Sequence, residues 1–131
     1  MLSRYTIYRR RPADAGPLPS GIRQDTRYRT NHVLRPSEDI VQAYLADPSD
    51  AAWRTLQREY LALLEKRFRE DRTPFDELAD LAAGNDVFLG CNCPTQKNPI
   101  PGRCHTYLAL GFMKKKYPTL GIAIPATTPE D

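Results

Sequence analysis

Residues 86–105 read DVFLGCNCPTQKNPIPGRCH. The apolar run Val87-Phe88-Leu89-Gly90-Cys91 is too short for a helix and reads as a strand buried on both faces of a parallel sheet. The polar, proline-rich residues 92–102 that follow have the composition of a loop. A helical pattern then opens at Cys104-His105. This one stretch holds all three cysteines, Cys91, Cys93 and Cys104, and one of the two histidines.

Downstream, the helical pattern places Tyr107, Leu108, Gly111 and Phe112 inward. Lys114, Lys115 and Lys116 lie in its last turn, where cations suit the negative end of the dipole, and Pro118 ends it. Residues 120–124 (LGIAI) are expected to form a last short strand, and residues 125–131 a tail. Upstream, Pro36-Ser37-Glu38-Asp39 is a helix start capped by Ser37, and Asp47-Pro48 closes that helix. Ser49 caps the next. Trp53, Leu56, Tyr60, Leu63, Leu64 and Phe68 recur there at steps of three and four, the clearest amphipathic pattern in the chain. A third helix begins at Thr73-Pro74, with Thr73 as its cap, and ends at Gly84 in a left-handed conformation. At the N-terminus Tyr5-Thr6-Ile7-Tyr8 reads as a strand running into Arg9-Arg10-Arg11-Pro12. Residues 13–36 form a long arginine-rich loop that has room for a fourth strand at residues 28–34.

Strands separated by helices imply parallel pairing and right-handed crossovers. The expected fold is α/β: a small, mostly parallel sheet with helices packed on it, of Rossmann-like three-layer character, in one domain over residues 1–131. No apolar run approaches the ~18 residues of a membrane span. The N-terminus lacks the apolar region of a signal peptide, so the expected compartment is the cytoplasm. Cysteines there are thiols or metal ligands rather than disulfides.

The net charge of +3 is uneven. Up to Arg35 there are eight arginines and two acids, and beyond it eleven basic and fourteen acidic residues. The basic segment is either a surface for phosphate or nucleic acid or a solvated, arginine-rich stretch. His32 lies within it and reads as a locally bonded loop histidine.

The chemistry centres on residues 91–105. Ligands of open α/β sheets bind outside the carboxyl ends of the strands, and helix N-termini favour anions and thiolates. Cys91 and Cys93 share a face at the end of the strand. Parallel strands would bring Arg9 and Arg11 to the same end, and Arg103 flanks the helix start. Three readings follow. In one, Cys104 and Cys93 act as nucleophile or acid/base groups with His105, while Arg9, Arg11, Arg103 and Cys91 hold a phosphate-bearing ligand, nucleotide or nucleic-acid-linked. Adjacent helical residues diverge by roughly 100°, so Cys104 and His105 alone are not expected to form a dyad. In the second, Cys91, Cys93, Cys104 and His105 hold zinc or iron in an interaction module, although the spacing C-x-C-x10-C-H is not that of a standard finger. In the third, the cysteines are small buried hydrophobes. Nucleic-acid binding through the N-terminal arginines without catalysis is a further alternative. The sequence names no cofactor, reaction or oligomeric state.

Taken together, these segments resemble the bacterial and archaeal proteins grouped as domain of unknown function 488. The resemblance rests on Ile7 to Pro12, on Leu34-Arg35-Pro36-Ser37, on Trp53 to Tyr60, and on the F-x-E-L-x-x-L-A segment starting at Phe75. It rests above all on the apolar strand ending at Cys91 and Cys93, followed by Cys104-His105 at a helix start. The family's arginine after Cys-His is Thr106 here. The resemblance implies an α/β fold with a pocket at the Cys-His signature, and no particular reaction.

Overall fold

The computed structural model describes residues 1–126. Three strands, β1 (Leu2–Thr6), β2 (Ile22–Asp25) and β3 (Val87–Cys91), form one sheet in the order β1-β3-β2, with both pairings parallel. Four helices complete the α/β fold: α1 (Glu38–Ala46), α2 (Asp50–Glu70), α3 (Thr73–Gly84) and α4 (His105–Lys116). The core joins Leu2 of β1 and Val87 and Leu89 of β3 to Tyr60 and Leu64 of α2, Phe75 of α3, and Leu110 and Met113 of α4, all with no or almost no exposed surface. Phe68 adds edge-on contacts to Phe75, Phe112 and Tyr117.

As the apolar run of residues 87–91 implies, β3 is the middle strand, paired on both edges. Gly90 leaves room there for side chains of β1 and of the residue after it. A Cβ at that position would lie 2.8 Å from both Tyr5 Cε1 and Ile7 Cδ1. The caps of α1 and α2 are those expected: Ser37 Oγ accepts from Ile40 N and Ser49 Oγ from Ala52 N.

Five expectations are corrected. First, β1 spans Leu2–Thr6 rather than residues 5–8, because the fully buried Leu2 anchors it to the core and the chain pairs only as far as Ile7 N, which donates to Cys91 O. Second, the strand within the long loop is Ile22–Asp25 rather than residues 28–34. Third, residues 120–124 contribute only a bridge between Ile122 and Leu2. Pro118 and Pro125 lack the N–H groups a longer ladder would use. Fourth, Thr73 is the first residue of α3, and Asp71 Oδ1 accepts its N–H. At the other end Gly84 remains helical, with Asn85 as the cap. Fifth, α4 buries Thr106, Ala109, Leu110 and Met113 with Phe112, while Gly111 is exposed and Tyr107 and Leu108 are half-buried. The buried stripe is rotated because Thr106, though polar, has hydrogen-bond partners inside. Of the expected tail, residues 127–131 lie outside the described residues.

Gly21 fixes where β2 meets β3. Its φ is +135°, and a Cβ there would lie 2.5 Å from Asp86 O. Gly21→Ala is therefore expected to destabilise the fold by about 2 kcal/mol or more. Gly111→Ala, at an exposed helical position with no atom within 4 Å of an added Cβ, should instead stabilise by about 0.5–1 kcal/mol. Urea unfolding of the two variants checks this; an undisturbed Gly21→Ala protein would contradict the register.

Candidate metal centre

Strand β3 ends at Cys91, and the chain returns after the 92–103 loop to put Cys104 at the N-cap of α4. This brings three sulfurs together. The Sγ atoms of Cys91, Cys93 and Cys104 all lie within 4.8 Å of one another. Cys91 and Cys93 are 3.8 Å apart. All three are free thiols, with Cys91 and Cys104 buried and Cys93 partly exposed.

The loop between them is held from within. Asn98, 3 % exposed, donates through Nδ2 to Arg103 O at 2.6 Å and to Cys93 Sγ at 3.4 Å. Its Oδ1 accepts from Tyr44 Oη at 3.0 Å, which fastens the loop to α1. Arg103 forms an ion pair with Asp50 at the start of α2.

His105 is closer to Cys104 than helical neighbours allow, with Nδ1 3.8 Å from Sγ. Cys104 is the reason: at φ −138° and ψ 144° it is extended rather than helical, so the expected divergence of the two side chains does not apply. Thr26 Oγ1 donates to Gly90 O at 3.0 Å and lies 2.8 Å from His105 Nε2. With its only proton so used, Thr26 accepts from Nε2–H, which leaves Nδ1 facing the sulfur. The histidine ring also meets Tyr60 edge-on at 5.7 Å.

Hydrogen bonding orders the thiols. Burial opposes ionisation of Cys104, but S–H groups from Cys91 and Cys93, together with His105, outweigh it and hold that thiol well below its ordinary pKa. Thr106 Oγ1 adds a donor at 3.3 Å. Donation to Cys104 and burial push Cys93 up to about 11 and Cys91 higher still. Ionisation within the cluster is therefore favoured at Cys104 over Cys91 and Cys93.

The arginines fall differently from expectation. Since β1 ends at Thr6, Arg9 and Arg10 lie in the loop beyond it and are exposed. Arg11 donates to the carbonyls of Thr6, Ala15, Gly16 and Pro17 and so braces its own loop. The arginine that reaches the site is Arg4, inside β1. Its Nε donates to Thr106 Oγ1 at 2.8 Å and its Nη2 to Cys93 O at 3.2 Å, and the guanidinium lies 4.9 Å from the centre of the Tyr107 ring. A guanidinium thus stands beside Thr106. Arg4, Thr26 and Asn98 are site residues the sequence reading missed. The Asn98-Pro99 dipeptide, a turn signal, was the only local trace of the last.

The fold and site define an α/β domain carrying a three-cysteine cluster at the carboxyl end of its middle strand. No family model, curated protein or solved structure matches the chain.

His32 provides a test of the surroundings. Its Nδ1 accepts from Leu34 N at 3.1 Å and its Nε2 lies 2.7 Å from Gln24 Oε1, an arrangement for the neutral ring. Burial, with help from the charge of His105, lowers its pKa from 6.5 to about 4. On acidification the unfolded chain takes up this proton first, so the contribution is complete above pH 6.5 and is lost as pH falls towards 4. Between pH 7 and 4.5 the wild type should lose about 2 kcal/mol more stability than His32→Gln, measured by urea unfolding. Equal losses would contradict the assigned state of His32.

Proposed function

We propose that the protein binds one thiophilic metal ion, zinc being the natural case, through Cys91, Cys93 and Cys104. The observation that carries this reading is the convergence of the three sulfurs. A tetrahedral ion with metal–sulfur bonds of about 2.3 Å has sulfur–sulfur edges of about 3.8 Å. The Cys91–Cys93 separation is 3.8 Å, and the other pairs need only close up from within 4.8 Å. The ligand types fit as well: soft thiolates select zinc, monovalent copper or iron–sulfur chemistry over magnesium and calcium.

The ion would tie β3, the 92–103 loop and α4 into one unit. Three ligands leave a fourth corner of the tetrahedron for a group outside the triad. His105 does not meet all three sulfurs at ligand spacing, so it belongs beside the set rather than in it. The resemblance to the domain of unknown function 488 proteins accords with this proposal, since its strongest element is the same three cysteines. The phosphate-bearing ligand is a weaker proposal. Arg11 and Arg103, two of the three arginines it invoked, are engaged within the protein.

Protein incubated with zinc and desalted is expected to retain one ion per chain by elemental analysis. Each of Cys91→Ser, Cys93→Ser and Cys104→Ser should lower the affinity at least tenfold. Zinc should also raise the wild-type unfolding temperature, because the assembled triad exists only in the folded chain. A wild-type protein that retains no zinc, copper or iron would overturn the proposal, as would three serine variants that bind like the wild type.

A further inference from the structure

We infer that Arg4 is the counter-charge of the metal–thiolate centre, linked to it through Thr106 and the Cys93 carbonyl. The inference rests on the site proposed above and adds a residue that binds no metal itself.

Arg4 is a half-buried guanidinium on the sheet, and it forms no ion pair with a carboxylate of the described residues. A charge removed from water without an opposite partner is costly. One hydrogen bond, at 3.4 Å, stays within β1 at Thr6 Oγ1, and the other two point to the missing partner. One goes to Cys93 O. Another goes to Thr106 Oγ1, whose own proton is donated to Cys104 Sγ. The two bonds in series, 2.8 Å and 3.3 Å, keep Nε within about 6 Å of that sulfur. The Tyr107 ring, 4.9 Å from the guanidinium, limits its movement.

The charges balance. Three thiolates around a divalent ion carry one net negative charge, and Arg4 supplies one positive charge. Of the other basic groups close to this end of the sheet, Arg103 pairs with Asp50, Arg27 with Asp25, and Arg11 with loop carbonyls, while His105 lies beside Cys104. Arg4 is therefore a positioning and charge-compensating residue, and Thr106 is the relay between it and Cys104.

Competition with a zinc-binding indicator tests this. Arg4→Gln, which keeps an amide donor but loses the charge, is expected to weaken zinc binding about tenfold or more. Arg4→Lys, which keeps the charge, should recover most of that loss. A role limited to hydrogen bonding predicts that Arg4→Gln and Arg4→Lys, both donors, bind zinc alike, and that outcome would overturn the inference, as would Arg4→Gln binding like the wild type. If Arg4→Gln does not fold, Thr106→Val serves instead. It cuts the link to Cys104 and should cost severalfold in affinity, and unchanged binding there would equally overturn the inference. Failure of the wild type to bind metal would instead remove the site itself, so the two failures are distinguishable.

Discussion

The structure depends on β3 being enclosed on both edges by parallel neighbours. A middle strand can carry almost nothing but apolar or minimal side chains, and Val87, Leu89 and Gly90 meet that demand. Parallel pairing on both sides also brings the carboxyl ends of all three strands to one end of the sheet. The three sulfurs gather at that end. Cys91 is the last residue of the strand, Cys93 lies two residues on, and the loop returns to place Cys104 against them. The sulfurs meet because a strand end and a helix start are fixed by the same core, in which Leu89 and Leu110 are both fully buried.

Such a junction concentrates charge as well as sulfur. Burial alone would keep the three thiols protonated. Here their mutual hydrogen bonds, the Thr106 hydroxyl and His105 favour a thiolate on Cys104, while Arg4 brings a positive charge from the neighbouring strand. A half-buried arginine without a carboxylate partner and a cluster of ionisable thiols would each be a liability alone. Together, around a cation, they would form a nearly neutral group, which gives a reason for both to occur in so small a domain.

Much of this was legible in the sequence. The apolar run ending in cysteines announced a buried parallel strand, and the serine and proline signals placed α1 and α2 closely. Attention fell on residues 91–105 because they hold all three cysteines between a strand end and a helix start, although the spacing matches no standard finger. What escaped was register and partnership. Tyr5 to Tyr8 has the stronger strand composition, but the polar Ser3 and Arg4 belong to the strand, because their groups are satisfied by Ala123 O, Thr106 and Cys93 O. That displacement is why Arg9 and Arg11 were expected at the site and Arg4 was not. The helical-wheel argument against Cys104 meeting His105 failed for a related reason: it assumed helical geometry at a residue that the structure makes an extended cap. Long-range hydrogen bonds, such as that between Tyr44 and Asn98, leave no periodic trace in a sequence.

The central claim is that Cys91, Cys93 and Cys104 together ligate one ion. X-ray absorption of the zinc-loaded protein addresses it most directly, because it counts the neighbours of the metal by element. The account predicts three sulfur neighbours at about 2.3 Å. A shell made of nitrogen and oxygen alone would contradict it.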